Sequence, residues 1–152
     1  MTESNPSISE RKKGLRQKML AMRRALSANE TESRSSSLKE NILSLLEYKN
    51  AKKIMAFLAM KGESNLDGFI RQALLDGKEV YIPVCLPERQ MEAGRLIDTE
   101  HFEKGPLGLR NLPAGYEVTS PESLDLVLIP GLAVSQEGIR LGMGAGYYDR
   151  YL

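Results

Sequence analysis

The chain has 152 residues, 41% of them hydrophobic and 27% charged, with 21 Lys and Arg against 20 Asp and Glu. That suffices for one domain with a core, and the balanced charge gives no reason to expect a nucleic-acid or membrane partner. A single cysteine, Cys85, and a single histidine, His101, exclude an internal disulfide and a zinc site built from Cys and His. Cys85 stands in the apolar run VYIPVCL and is expected to be a buried thiol in a reducing, cytoplasmic setting. The start MTESNPSISE is polar and no 18-residue apolar run follows, so neither a signal peptide nor a membrane span is expected.

Residues 1–7 read as a loose polar tail. Ser7 and Glu10 form a capping-box pattern, and Leu15, Met19, Met22 and Leu26 recur at helical spacing, predicting an amphipathic helix over 9–26. Its first residues are basic, with Arg11, Lys12, Lys13, Arg16, Lys18, Arg23 and Arg24 opposed only by Glu3 and Glu10. At about 100° per residue, Lys12, Arg16 and Arg23 form a strip beside the apolar stripe, while Lys13 and Arg24 point to the far side. Lys12 and Arg16 are therefore read either as cations at a pocket mouth or as side chains snorkelling at the core edge.

Ser27 and Glu30 repeat the capping box before a second helix over 29–47. KIMAFLA (53–59), EVYIPVC (79–85) and LDLVLIP (124–130) read as buried strands, MEAGRLI (91–97) as a strand nearer an edge, and 66–75 as a helix. Residues 105–121 read as loop. A short strand near 132–134 and a turn at Gln136-Glu137-Gly138 precede a glycine loop and a last helix. Alternating strands and helices predict a single α/β domain over 1–152, a largely parallel sheet flanked by helices in a Rossmann-like three-layer arrangement. The final helix has barely a turn, too little to bury much of a face.

IRLGMGAGYYDRYL (139–152) carries the most chemistry. Gly142, Gly144 and Gly146 alternate before a helical start, where glycine permits close backbone approach to an anion. Arg140 can add a forked contact to phosphate oxygens, and Asp149 is a carboxylate suited to magnesium. The pattern is neither a Walker A loop nor a dinucleotide fingerprint. On spacing alone it is equally a tight strand-to-helix turn with Asp149 as a dipole partner.

The whole string, Pro130-Gly131 and then Arg140, Leu141, Gly142, Gly144, Gly146, Tyr147, Tyr148 and Asp149, resembles the signature of the 5-formyltetrahydrofolate cyclo-ligase family. Lys12-x-x-Leu15-Arg16 resembles that family's N-terminal basic motif, and Glu63-x-Asn65 its Glu-x-Asp/Asn pair after the first strand, in place of a simple helix cap. The resemblance implies an ATP- and magnesium-dependent enzyme converting 5-formyltetrahydrofolate to 5,10-methenyltetrahydrofolate with release of ADP and phosphate. It implies an ATP site at Lys12, Lys13, Gly14, Leu15, Arg16, Arg140, Leu141, Gly142, Met143, Gly144, Ala145, Gly146, Tyr147 and Tyr148. It implies folate contacts at Leu58, Glu63 and Tyr148 and a magnesium ligand at Asp149, and Met60 is placed to line the apolar pterin slot. A monomer is expected. Family members continue past this point with the rest of the last helix, a strand and a second metal-site acid, so the chain reads as cut short at its C-terminus. A phosphate-binding module of the same fold without turnover is the alternative. GPLGLRNLP (105–113) resembles a weaker family segment, but Asn111-Leu112-Pro113 replaces its Glu-Pro ending, and no site residue is assigned there.

Overall fold

The computed structural model describes residues 6–105 and 108–152. Helix α1 runs Ile8–Arg24 and α2 Ala28–Ser44, both started by complete capping boxes, Ser7 with Glu10 and Ser27 with Glu30. The second helix is shorter than predicted. Leu45 turns to extended backbone (φ −66°, ψ 142°), and a separate short helix α3, Leu46–Asn50, follows. Leu45 carries no side-chain cap, so the break is made by the backbone alone.

Five strands form the main sheet: β1 Lys53–Met55, β2 Glu79–Cys85, β3 Met91–Leu96, β6 Val118–Thr119 and β7 Leu126–Val127, in the order β6-β3-β2-β1-β7. β1 is parallel to β2 and β7, β3 is antiparallel to β2, and β6 is antiparallel to β3. Four of the five strands thus point one way and only β3 reverses, which bears out the largely parallel sheet. β3 lies one strand in from the edge. Between β3 and β6 the chain makes a small hairpin, β4 Glu103–Lys104 with β5 Arg110–Asn111, so that β5 and β6 both fall in the stretch 105–121 expected to be loop. Arg110 ties this hairpin to helix α4, Asp67–Leu75, through a two-pronged pair with Asp67 at 2.9 and 3.0 Å. Pro106 and Leu107 of the segment 105–113 lie outside the described residues.

Strand periodicity divides the core into two faces. Ile54, Val80 and Ile82 point toward Phe69, Ile70 and Ala73 of α4 and Ile42 of α2. Met55, Tyr81 and Ala93 point the other way, onto Tyr147, Tyr148 and Tyr151 of helix α5, Tyr147–Tyr151. Helices therefore cover both sheet faces, giving three layers. As expected of so short a helix, α5 buries none of its residues, but its three tyrosines rest partly covered on the face of Met55 and Tyr81. On the α4 side, β3 carries Gly94, where an added Cβ would lie 2.6 Å from Leu112 Cδ1 and 2.8 Å from Tyr116 Cδ2. The segment after β5 thus lies against bare sheet backbone.

Two expectations about burial are overturned. Cys85, the last residue of β2, is exposed rather than buried, although partial desolvation still pushes its thiol pKa up. Helix α1 buries no residue at all, and Leu15 and Met22 of its apolar stripe are exposed. The partly covered side chains are Arg16, Met19, Leu20, Arg23 and Leu26. That face is centred about 80° from Leu15, on the basic strip. The arginines face inward because backbone carbonyls await them there.

Candidate active site

The site lies at the carboxyl ends of the parallel strands, where α/β sheets place ligands. After β7 the chain enters a hairpin of β8, Ala133–Val134, and β9, Arg140–Leu141, closed by the predicted turn with Gly138 at φ +83°. The glycine loop follows β9 directly. Gly144 (φ +106°) and Gly146 (φ +74°) adopt backbone that L residues rarely enter. Gly142 leaves room for Arg140: a Cβ there would sit 2.8 Å from the Arg140 Nη1 atom.

Arginines hold the loop through its carbonyls. Arg16 Nε donates to Gly142 O at 3.0 Å, and its guanidinium lies over Gly144, where an added Cβ would be 3.4 Å from Cζ. Arg150 Nη1 donates to Ala145 O at 2.7 Å. Arg140 Nη1 donates to Pro130 O at 3.1 Å and its Nη2 to Asp149 Oδ1 at 2.9 Å, with Cζ 5.8 Å from the Tyr148 ring centroid. Both prongs of Arg140 are thus engaged, one of them with the carboxylate expected to bind magnesium. Lys12, Lys13, Gly14 and Leu15 are all exposed on the first turns of α1. Arg16 is the residue of that motif whose bond to the loop is seen.

The segment after β1 completes the site. Glu63 Oε2 accepts from the Met60 N–H at 2.9 Å, and Glu63 Oε1 lies 3.7 Å from Arg23 Nη1. Asn65 Oδ1 accepts from the Asp67 N–H at 2.8 Å. Asn65 therefore serves the start of α4, whereas Glu63 does not cap that helix. Leu58 is half-buried against the core, and Met60 is exposed. Tyr148 comes from α5, and its hydroxyl is buried with no hydrogen-bond partner among the described residues. Burial, and then the nearby Glu63 carboxylate, push its pKa far up against the opposing effect of Arg140. The phenol is therefore a protonated donor through the whole neutral range. Glu63, Tyr148 and Arg140, from three separate segments, share one electrostatic environment.

Two contributors were not singled out as site residues from sequence: Arg23, which donates Nη2 to Gly131 O at 2.9 Å, and Arg150. Arg23 was legible only as part of the basic strip, two helical turns beyond Arg16. No cluster of three or more metal-ligating side chains occurs among the described residues. Asp149, with its side chain 78% exposed beside the loop, is a lone carboxylate next to a cation. Such a group fits a magnesium ion that arrives with phosphate oxygens and waters, not one caged by protein alone.

The model of the 5-formyltetrahydrofolate cyclo-ligase family matches residues 8–152. The chain belongs to that family. It is 33% identical over 153 residues to the mouse 5-formyltetrahydrofolate cyclo-ligase, covering 96% of this chain and 75% of the mouse protein. It is also 33% identical to a probable 5-formyltetrahydrofolate cyclo-ligase of Caenorhabditis elegans, covering 95% and 74%. The solved structure of Aquifex aeolicus 5,10-methenyltetrahydrofolate synthetase superposes with a TM-score of 0.80 at 34% identity, over 92% of this chain and 71% of that one. The Mycoplasma pneumoniae synthetase shares the fold, with a TM-score of 0.73 at 22% identity. The glycine loop held by Arg16 and Arg150 lies within the matched residues. No helix among the described residues is long and apolar enough to cross a membrane.

Proposed function

We propose that this chain performs the ATP-dependent cyclisation of 5-formyltetrahydrofolate to 5,10-methenyltetrahydrofolate, releasing ADP and phosphate. The observation that supports this reading is the glycine loop with Arg16, Arg140 and Asp149 beside Tyr148, whose ring lies by Arg140 and whose hydroxyl is buried without a hydrogen-bond partner among the described residues. The formyl oxygen attacks the γ-phosphorus of ATP and ADP leaves. The neighbouring folate nitrogen then attacks the formyl carbon, and phosphate departs carrying the former formyl oxygen. No protein nucleophile is required, in keeping with a chain that offers one histidine and one cysteine. Catalysis is positioning and charge neutralisation.

Arg140 and Lys12 bind phosphate oxygens, and Arg16 holds the loop while its guanidinium lies over Gly144. To reach phosphate, Arg140 exchanges its bond to Asp149 for one to the nucleotide, which frees Asp149 for magnesium at the same moment. The metal neutralises phosphate charge when bound. Glu63 accepts hydrogen bonds from folate nitrogens, Tyr148 donates to a folate acceptor, and Leu58 and Met60 flank the pterin. The test is the growth of methenyltetrahydrofolate absorbance when ATP, magnesium and 5-formyltetrahydrofolate are added, with ATP binding followed by calorimetry. Absorbance growth is expected. ATP binding without turnover at any substrate concentration would instead identify a binding module, and absence of ATP binding would overturn the site.

A further inference from the structure

Arg23 lies two turns beyond Arg16 on the inward face of α1, and its side chain is only 19% exposed. Nη2 donates to Gly131 O, at the end of the chain leaving β7, at 2.9 Å. Nη1 lies 3.7 Å from Glu63 Oε1, in a carboxylate whose side chain is 11% exposed. The methylenes of Arg23 run beneath Gly62 (φ +84°), where an added Cβ would sit 3.4 Å from Cδ and 3.5 Å from Cγ. One guanidinium therefore joins the segments that leave two adjacent parallel strands, β1 and β7. Glu63 in turn accepts the Met60 N–H with its other oxygen. The turn Met60–Glu63 is held by this carboxylate from within and by Arg23 from outside.

We propose that Arg23 is a positioning residue for substrate: it fixes the Glu63 carboxylate and the Met60–Glu63 turn in the geometry that receives the folate ring. The proposal rests on the reading of Glu63 as a substrate ligand. The physical reason is that a largely covered carboxylate needs a compensating cation. Arg23 supplies it without occupying Glu63's second oxygen, and its bond to Gly131 stops it from swinging away. Arginine suits this task because its fork serves a carbonyl and a carboxylate at once. The Arg23–Glu63 pair also borders a cavity of about 490 Å³ lined by Leu38, Ile42, Phe57 and Leu66. Without the arginine, Glu63 keeps only the Met60 N–H as a partner and is free to leave this geometry.

The experiment measures 5-formyltetrahydrofolate and ATP affinities separately, by calorimetry, for Glu63→Gln, Arg23→Gln, Arg23→Lys and the double variant Arg23→Gln/Glu63→Gln. Arg23→Gln is expected to weaken folate binding about 10- to 100-fold, the range for losing a charged hydrogen-bonding partner, with ATP affinity within about twofold. Arg23→Lys should restore part of the loss. The double variant should bind folate no worse than Glu63→Gln alone, since Arg23 acts through Glu63. A loss from Glu63→Gln with none from Arg23→Gln, losses that multiply in the double variant, or equal losses of ATP and folate, would each overturn the positioning role. Unchanged folate affinity in Glu63→Gln would instead remove the reading of Glu63 itself. If Arg23→Gln does not fold, Arg23→Lys decides: a folate-selective loss supports the role, and wild-type affinity for both ligands overturns it.

Discussion

The sheet core and the seam between α1 and the glycine loop are built by opposite means. In the core, Phe69, Ile54, Ile70, Val80 and Ile82 are removed from water almost completely, and Phe69 meets the Tyr48 ring edge-on with centroids 5.5 Å apart. At the seam nothing on α1 is buried, and the helix is tied down by Arg16 and Arg23 bonded to Gly142 and Gly131 carbonyls. Apolar burial is non-directional and large in sum. Bonds from arginine to carbonyl are directional and modest each. The protein thus takes stability from one region and orientation from the other, and the ligands are expected in the region that contributes less to stability.

Truncating the core should give the largest effect. Phe69→Ala is expected to cost about 3–5 kcal/mol of unfolding free energy, read from urea denaturation, while the folded fraction keeps its ligand affinities. The seam should respond in the opposite sense. Arg140→Ala should weaken ATP binding by about 1.5–3 kcal/mol and lower the melting temperature far less than Phe69→Ala, because its partner Asp149 is solvent-exposed, exposed pairs contribute about 0–1 kcal/mol, and one bond to the Pro130 carbonyl remains to be lost. A large drop in melting temperature for Arg140→Ala, or lost ATP affinity for folded Phe69→Ala, would erase the division of labour.

The smallest effect lies at the core's margin, where Tyr48 donates its hydroxyl to Asp76 and Lys78 Nζ donates to the Tyr48, Lys49 and Ala51 carbonyls. The tyrosine's bond, with a second from Gln72, holds Asp76 below its ordinary 3.8. Burial, and then Asp76, hold Tyr48 above its ordinary 10.0. A depressed carboxylate stabilises above its unfolded value and loses that contribution as pH falls through the folded one. A raised phenol stabilises below its unfolded value and loses it as pH rises through the folded one. The stability difference between wild type and Asp76→Asn should therefore be flat between about pH 5 and 9 and shrink on either side. A difference that grows below pH 4 would contradict the assignment.

What could be read from the sequence follows the same division. β2 was legible to the residue because Glu79–Cys85 is an apolar run paired on both sides. The run 124–130 was equally apolar, yet only Leu126–Val127 form a strand. β7 pairs with β1 alone, and the last bond joins the Leu128 N–H to Met55 O. The apolar residues beyond line the cavity instead. An apolar run reports burial, not pairing. The covered face of α1 lies about 80° from the expected apolar stripe, on the basic strip expected at its side, because Arg16 and Arg23 reach backbone carbonyls there. The glycine loop and its arginine stood out because glycines at φ +106° and +74° cannot be freely replaced. Arg23 carried no such mark, since its partners, Glu63 and Gly131, lie 40 and 108 residues away along the chain.

Gly94 shows how much a single missing methyl group can govern. Leu112 and Tyr116 occupy the space that any larger residue on that strand would need, and Tyr116 is further fixed by donating its hydroxyl to Glu92 at 2.7 Å. Alanine there would force the Leu112 side-chain end and the Tyr116 ring to shift. Mutational tolerance in this protein is therefore uneven in a way that charge and hydrophobicity do not reveal. At this mid-strand position even one added methyl group forces Leu112 and Tyr116 to move, whereas at Gly14, on the exposed first turns of α1, an added Cβ meets nothing within 4 Å.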